Sequence, residues 1–383
     1  MGQIIAAAKP NKTTMVTDLW ATSAPATGRN NSWLCSQANQ AAGCKYEDEI
    51  FVEEVLANIA AHDVSKPFFL FWAPHIAHEP LQVPQAYLDK FSWIDTRPRQ
   101  FYMAMVNYVD TLLGRVVDAL KAKNMWDDLL WLSSADNGGP IYASGSAGAN
   151  NWPKRGGKMS NWQGGIQVNA YASGGLLPAA VQGTVSMGLM AGCDVYATFC
   201  SLAGVDATDA KAAAANLPPV DGLDMWPFLS GQVATSPRTE VPVGSTAGEA
   251  GMVHRNASET VVQGVVTADG WKLLVGQTGQ NIWTGPYYPN TSTSWKDVPY
   301  DCGIPGAPPP KGKAASGCLF NYLTDPTEHA DVAESNPDVV AKMYARLQEL
   351  QKSAFSPDRG SVQAAACDAA LKQWGGFWGP FMQ

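Results

Sequence analysis

Asp128-Leu129-Leu130-Trp131-Leu132-Ser133-Ser134-Ala135-Asp136-Asn137-Gly138-Gly139 is the stretch that decides the fold. Its first half is short and apolar, which fits a buried strand. Its second half places two oxygen-bearing side chains just past the strand's carboxyl end. Open α/β sheets bind their ligands there. Upstream, Tyr102 to Lys123 carries Met103, Val106, Val109, Leu113, Val116 and Leu120 as one helical stripe. Further upstream, Pro67 to Ala73 (PFFLFWA) is wholly apolar, as expected of a strand buried on both faces. Strand, helix and strand in that order predict an α/β unit with a right-handed crossover.

The pattern extends both ways. Glu47 to Ala61 reads as a helix with Ile50, Phe51, Val55 and Ile59 on one face. Downstream, Val168 to Tyr171 reads as a strand and Asp194 to Leu202 as a helix closed by Gly204. Short strands are expected at Val261 to Val266, Trp271 to Val275 and Cys318 to Leu323, then a helix from Pro337 to Ser353. Two domains follow from this: an α/β domain over residues 1–250 and a smaller α+β domain over residues 251–383.

Composition narrows the function. The 383 residues hold 26 Lys+Arg against 34 Asp+Glu, a net charge of −8. That balance argues against a nucleic-acid binder, while a few local cations still permit an anionic small substrate. No apolar run is long enough to span a bilayer. No signal peptide is visible at Met1. Yet Asn11, Asn30, Asn256 and Asn290 open glycosylation sequons, and the seven cysteines are an odd number with most in loops. Together these features suit a secretory-pathway protein whose beginning is missing.

Three places carry candidate chemistry. Asp136 and Asn137 offer hard oxygens of the kind Ca²⁺ and Mg²⁺ prefer, although Asp-Asn-Gly-Gly is also good turn chemistry. His78, with His75 as its rival, follows the first apolar run, and histidine is a side chain able to donate or accept a proton in catalysis. Lys158 closes Asn150-Asn151-Trp152-Pro153-Lys154-Arg155-Gly156-Gly157-Lys158, where a compact cation suits an oxyanion; the plain alternative is a solvated basic loop. Trp152, Trp162, Trp283 and Tyr287 are able to stack on sugar rings, with packing the expected role of most of them. No Gly-x-Ser-x-Gly elbow, Walker loop or dinucleotide fingerprint occurs.

The ordered motifs PFFLFWAPHIAHEPLQVPQAYLDKF, LLWLSSADNGGP, NNWPKRGGKMSNWQGG, VDGLDMWPFLSG, GWKLLVG and LFNYLTDPTEHADVA resemble the sulfatase family. The likeness is strongest to its arylsulfatase B-type (N-acetylgalactosamine-4-sulfatase-like) branch. It runs from about Tyr46 to the C-terminus. The resemblance implies an alkaline phosphatase-like sandwich, with a mostly parallel sheet between helices and a small C-terminal α+β domain. It implies sulfate-ester hydrolysis on a sulfated small molecule or glycan, in a secreted or lysosome-like compartment. Asp136 and Asn137 would ligate one Ca²⁺, His78 would bind the ester and protonate the leaving oxygen, and Lys158 would grip sulfate oxygens.

Two departures stand out. The family's Cys-x-Pro-Ser-Arg, whose cysteine becomes formylglycine, is absent, as are the paired aspartates that complete the Ca²⁺ shell. The chain as written is therefore expected to be an inactive fragment of a sulfatase. The alternative is an inactive homologue that binds sulfated glycans or scaffolds a partner. Where the family has Glu-Gly-Gly-x-Arg, this chain has Gln163-Gly164-Gly165-Ile166-Gln167. Losing both charges of such a pair is expected to be structurally quiet.

Overall fold

The computed structural model describes residues 2–6, 13–17, 19–21, 24–26, 35–36, 42–246, 260–294, 299–354 and 364–378. Two compact units emerge. Unit 1 comprises residues 1–94, 100–123 and 357–383, and unit 2 comprises residues 95–99 and 124–356. The division expected at residue 250 falls outside the described residues, and these units cut the chain elsewhere. Among the described residues no helix is long and apolar enough to cross a membrane.

Unit 1 is built on two helices, α1 (Glu47–Ala61) and α2 (Arg97–Ala122), the latter starting within the short piece assigned to unit 2. Ile50, Val52, Val55 and Ile59 are buried on α1, and Ala104, Met105, Tyr108, Leu112, Val116 and Leu120 on α2. The expected stripe on α2 named Met103, Val106, Val109 and Leu113; the buried face is rotated from it and shares only Val116 and Leu120. Arg115 reaches Glu49 at 2.7 Å and Tyr108 donates to the same carboxylate at 3.2 Å.

The apolar run Pro67 to Ala73 does not form the expected buried strand. It has no regular secondary structure, no strand pairs with it among the described residues, and Phe69 and Phe71 are 71% and 81% exposed. An apolar run signals burial only where neighbours supply a ladder and two covering faces. Without them the strand–helix–strand unit keeps only its second strand. That strand, β1 (Trp131–Ser134), pairs antiparallel with β2 (Ala170–Ser173).

Unit 2 owes its core to a four-stranded antiparallel sheet of β3 (Glu240–Thr246), β4 (Thr260–Thr267), β5 (Trp271–Leu274) and β6 (Cys318–Asn321), in the order β6-β5-β4-β3. All four named ladders of the two sheets are antiparallel, and three of them join strands of the sheet β6-β5-β4-β3, most of which lies in the region read as α+β. Alternation along β5 sorts its side chains by face. Leu273 packs with Val265, Leu319 and the Val340, Met343 and Leu347 stripe of α3 (Pro337–Lys352). Leu274 packs on the other face with Val266, Phe320, Trp162 and the Cys302–Cys318 disulfide. Lys272, also on this second face, is fully buried.

A second disulfide joins Cys35 to Cys44, and Cys193, Cys200 and Cys367 are free thiols. Of the four sequons, Asn11, Asn30 and Asn256 lie outside the described residues. The Asn290 side-chain oxygen accepts from the Ser292 amide at 3.0 Å.

The expected helix Asp194–Leu202 forms with those bounds, and Gly204 follows it at a φ of 66°. Its first residue anchors the surrounding loops. Asp194 is fully buried, takes two hydrogen bonds from Arg238 (2.6 and 2.5 Å) and accepts from the Ala191 and Leu223 amides at 2.7 and 2.8 Å. Burial pulls its carboxyl upward, but these four donors outweigh it and hold the pKa below the usual carboxylate value. The group is depressed on folding, so its contribution is present above pH ~4 and is lost as pH falls through the folded value. Asp194→Asn is expected to destabilise the protein by about 3–5 kcal/mol at pH 7, because it leaves Arg238 uncompensated. It should also flatten the loss of stability below pH ~4. Urea denaturation of both proteins between pH 3 and pH 7 checks this; parallel pH profiles would refute it.

Candidate functional site

Asp136 and Asn137 sit directly beyond β1, as the sequence predicts. Asp136 is exposed, and one of its oxygens accepts the Asn137 amide at 2.8 Å. The Asn137 amide group donates to the Gly138 carbonyl at 2.9 Å, which leaves its oxygen as the atom for a ligand. The turn reading and the ligand reading are therefore compatible.

The loop carrying Lys158 is sewn to this strand end. The Lys158 amide donates to the Gly139 carbonyl at 3.1 Å, and the Gly138 amide to Gly165 at 2.9 Å. The Asn151 side chain completes the seam: its oxygen accepts from the Gly139 amide at 2.9 Å, and its amide donates to the Gly139 and Gly156 carbonyls at 2.8 and 3.1 Å. Glycine is required by close approach. A Cβ at 138 would lie 1.7 Å from the Gly164 carbonyl oxygen, and one at 157 would lie 2.4 Å from that of Gly139. Asp136, Asn137 and Lys158 thus share one backbone-defined region of unit 2.

His78 belongs to unit 1 and is exposed. Its Nδ1 lies 2.7 Å from the Glu79 carbonyl. A carbonyl only accepts, so Nδ1 carries the hydrogen and Nε2 is the nitrogen able to exchange a proton. The rival, His75, is engaged otherwise: its Nδ1 meets Glu47 at 2.8 Å, and that hydrogen bond pushes its pKa up.

What fixes the Lys158 loop is a buried polar cluster that the sequence reading did not find. Lys272 Nζ lies 2.5 Å from Glu328 Oε1, with both side chains fully buried. It also donates to Gln163 Oε1 at 3.2 Å, and the Gln163 amide donates to the other Glu328 oxygen at 2.7 Å. Burial drives the Lys272 pKa down, and Glu328 opposes that shift. Arg155 lies 3.5 Å from the centre of the buried Trp162 ring, donates to the Glu328 carbonyl at 3.3 Å and contacts Asn281. Burial lowers its pKa to about 10. Trp162 donates to the Gly279 carbonyl at 3.0 Å, and Asn161 bonds Gln263. The only signal in the sequence was Lys272, a lone charge inside an apolar strand.

The two glutamines at the departure from the family pattern face each other: Gln163 Nε2 donates to Gln167 Oε1 at 3.2 Å. A neutral hydrogen bond occupies the place of an ion pair.

Hard oxygens at 136 and 137 suit Ca²⁺ in kind but supply only part of the six to eight ligands it takes. Among the described residues, no group of three or more His, Cys, Asp or Glu side chains gathers to hold a metal.

Comparison with known proteins agrees with the motif order. The family model described as Sulfatase matches residues 8–205. The chain is 31% identical to arylsulfatase J of Mus musculus, over 88% of this chain and 53% of that protein. It is 30% identical to N-acetylgalactosamine-6-sulfatase of Sus scrofa, over 85% of this chain and 56% of that protein. The chain therefore spans about half the length of the curated relatives it matches. Among solved structures it is similar to Ps i-CgsB in complex with k-i-k-neocarrahexaose, with a TM-score of 0.61 and 23% identity, over 88% of this chain and 61% of that one. It is also similar to the PsFucS1 sulfatase from Pseudoalteromonas sp., with a TM-score of 0.55 and 22% identity, over 80% and 52% of the two chains. These likenesses show the fold, the alkaline phosphatase-like α/β class.

The cluster yields a test. Gln163→Glu sets a second carboxylate beside Glu328 around one ammonium, and should destabilise the protein by about 1–3 kcal/mol. Adding Gln167→Arg should restore most of that loss. Urea denaturation of the wild type and both variants measures it; additive losses in the double variant would contradict the pairing.

Proposed function

Since the chain belongs to the sulfatase family, we propose that it is part of a sulfuric ester hydrolase acting on sulfated glycans or related small sulfate esters. The observation that carries this reading is the seam joining Lys158 to the Asp136–Asn137 strand end. It joins the loop of a cation and the turn of two oxygen-bearing residues in one hydrogen-bonded region, which supports an anionic ester as ligand. In this reading Lys158 holds sulfate oxygens and offsets negative charge as the ester bond breaks. By the family resemblance His78, whose Nδ1 hydrogen goes to the Glu79 carbonyl, would act as a proton donor when Nε2 is also protonated.

Asp136 and Asn137 would hold Ca²⁺, together with ligands beyond these two. When bound, that ion supplies electrostatic stabilisation of the sulfate group. The family's formylglycine, when present, supplies the oxygen nucleophile. None of the seven cysteines here is followed by x-Pro-Ser-Arg. The oxidised Cys35–Cys44 and Cys302–Cys318 pairs support a secretory or lysosome-like compartment, where disulfides persist.

The neutral Gln163–Gln167 pair, where the family pattern carries charges, supports a second reading, a non-hydrolytic homologue that binds sulfated glycans. A phosphate-ester hydrolase fits less well, because Asn137 stands where a Zn²⁺ site would call for nitrogen or sulfur.

Turnover of an aryl sulfate and of an aryl phosphate by the protein expressed from its complete transcript separates the three readings. Sulfate turnover is expected, with Lys158→Ala lowering kcat by roughly 10²–10³, the scale for losing one transition-state contact. Sulfate binding without turnover would establish the second reading. Preference for the phosphate would overturn the first.

A further inference from the structure

The aromatic residues named from the sequence fall into two groups. Trp162 is wholly buried. Trp283 stacks on His329 at 4.3 Å, and its indole N–H donates to the Thr327 carbonyl at 2.6 Å. Both are consumed by packing. Trp152 and Tyr287 are not, being 53% and 81% exposed.

These two exposed rings stand on loops that the Asn150 side chain joins. The Asn150 oxygen accepts from the Trp152 amide and from the Thr284 hydroxyl, each at 2.8 Å. Its amide donates to the Gly285 and Pro286 carbonyls at 3.0 and 3.2 Å. Trp152 lies two residues beyond Asn150, and Tyr287 directly follows Pro286. The Tyr288 hydroxyl and the Gly156 amide add further ties between these loops and residues 141 and 282. The loops that carry the two rings are therefore held in place before any ligand arrives, which lowers the ordering cost of binding.

Lys154, on the same loop, supplies charge. It is half-buried, and its ammonium makes no hydrogen bond or ion pair among the described residues. Burial lowers its pKa, the mark of an under-solvated cation; the more distant Glu328 carboxylate only partly opposes this. Along the chain these residues are flanked by Asn150, Asn151, Pro153, Gly285 and Pro286, polar and turn-forming neighbours that suit a hydroxylated ligand.

We propose that Trp152 and Tyr287 form a stacking platform for a sugar ring beside the Lys158 loop, and that Lys154 receives an anionic ester or carboxylate group on that carbohydrate. A sugar presents an apolar C–H face to an aromatic ring and its charged groups at the rim, and this surface offers the complement of both. The assignment rests on the proposed sulfatase reading for its substrate class, but it names residues that reading does not use.

Isothermal titration of the protein with a chondroitin sulfate hexasaccharide, with desulfated chondroitin and with inorganic sulfate tests it. Trp152→Ala and Tyr287→Ala should each weaken hexasaccharide binding about tenfold, the scale for truncating an aromatic anchor. Binding of inorganic sulfate should be unchanged in both. Tyr287→Phe should bind as the wild type does, since the ring and not the hydroxyl is invoked. Lys154→Met should reduce the preference for sulfated over desulfated chain about fivefold. Trp93→Ala, an exposed tryptophan of unit 1, is the control and should have no effect. Near-UV circular dichroism verifies that each variant is folded. Hexasaccharide binding that survives both alanine variants, or is absent from the wild type, overturns the platform. Inorganic sulfate binding indifferent to Lys158→Ala counts instead against the sulfatase reading, so the two failures are distinguishable.

Discussion

The arrangement of unit 2 depends on one buried ion pair, Lys272–Glu328. Removing two charges from water is costly, and their attraction offsets that cost only when every remaining donor and acceptor is also engaged. Here the engagement is nearly complete. Glu328 takes Lys272 on one oxygen and the Gln163 amide on the other, while Gln163 Oε1 returns to Lys272. Glu328 itself has a φ of 58°, unfavourable for a residue with a Cβ. The pair therefore holds a strained backbone point and the start of the Gln163 turn together. Through Trp162 and Arg155 it also fixes the loop that leads to Lys158.

This explains why the basic loop is rigid although it is rich in glycine. Glycine lowers helix and strand stability by its freedom in the unfolded chain. At 138 and 157 it is nonetheless required, since neighbouring carbonyls occupy the space a side chain would need. Stability has to come from outside the loop. It comes from the face of β5 that carries Lys272 and Leu274, and from the Cys302–Cys318 link beside it. A disulfide closing a loop of that length contributes on the order of 3 kcal/mol.

Much of this was legible in the sequence wherever a residue's role follows from its neighbours along the chain. The helix Glu47–Ala61, the helix Asp194–Leu202 with its glycine, and the strand ending in Asp136-Asn137 all appear within a residue or a few of the expected bounds. The motifs also pointed to the right family. The run 67–73 was misread because burial is a property of partners, and those partners are not in the run itself. Lys272 and Glu328 are 56 residues apart, and neither pattern nor spacing connects them. Nor does the sequence tell a packed tryptophan from an exposed one: Trp152 and Trp162 sit in similar Asn-Trp contexts, and only the fold buries one of them.

The distribution of charge around Lys158 has a consequence for specificity. The chain is acidic overall, with a net charge of −8, so its long-range field repels anions. Within a Debye length of about 8 Å at physiological salt, local groups dominate instead. Arg155 cannot serve an incoming ligand, because its guanidinium is committed to Trp162, Asn281 and the Glu328 carbonyl. The loop carries two further cations, Lys154 and Lys158, separated by the buried turn that Arg155 anchors. Such an arrangement discriminates by geometry more than by total charge. A ligand gains little from being highly anionic and much from presenting its charge at the right place on a stiff scaffold. Under the proposed function a sulfated ring meets that requirement better than a flexible acidic peptide, which would lose more conformational entropy for the same contacts.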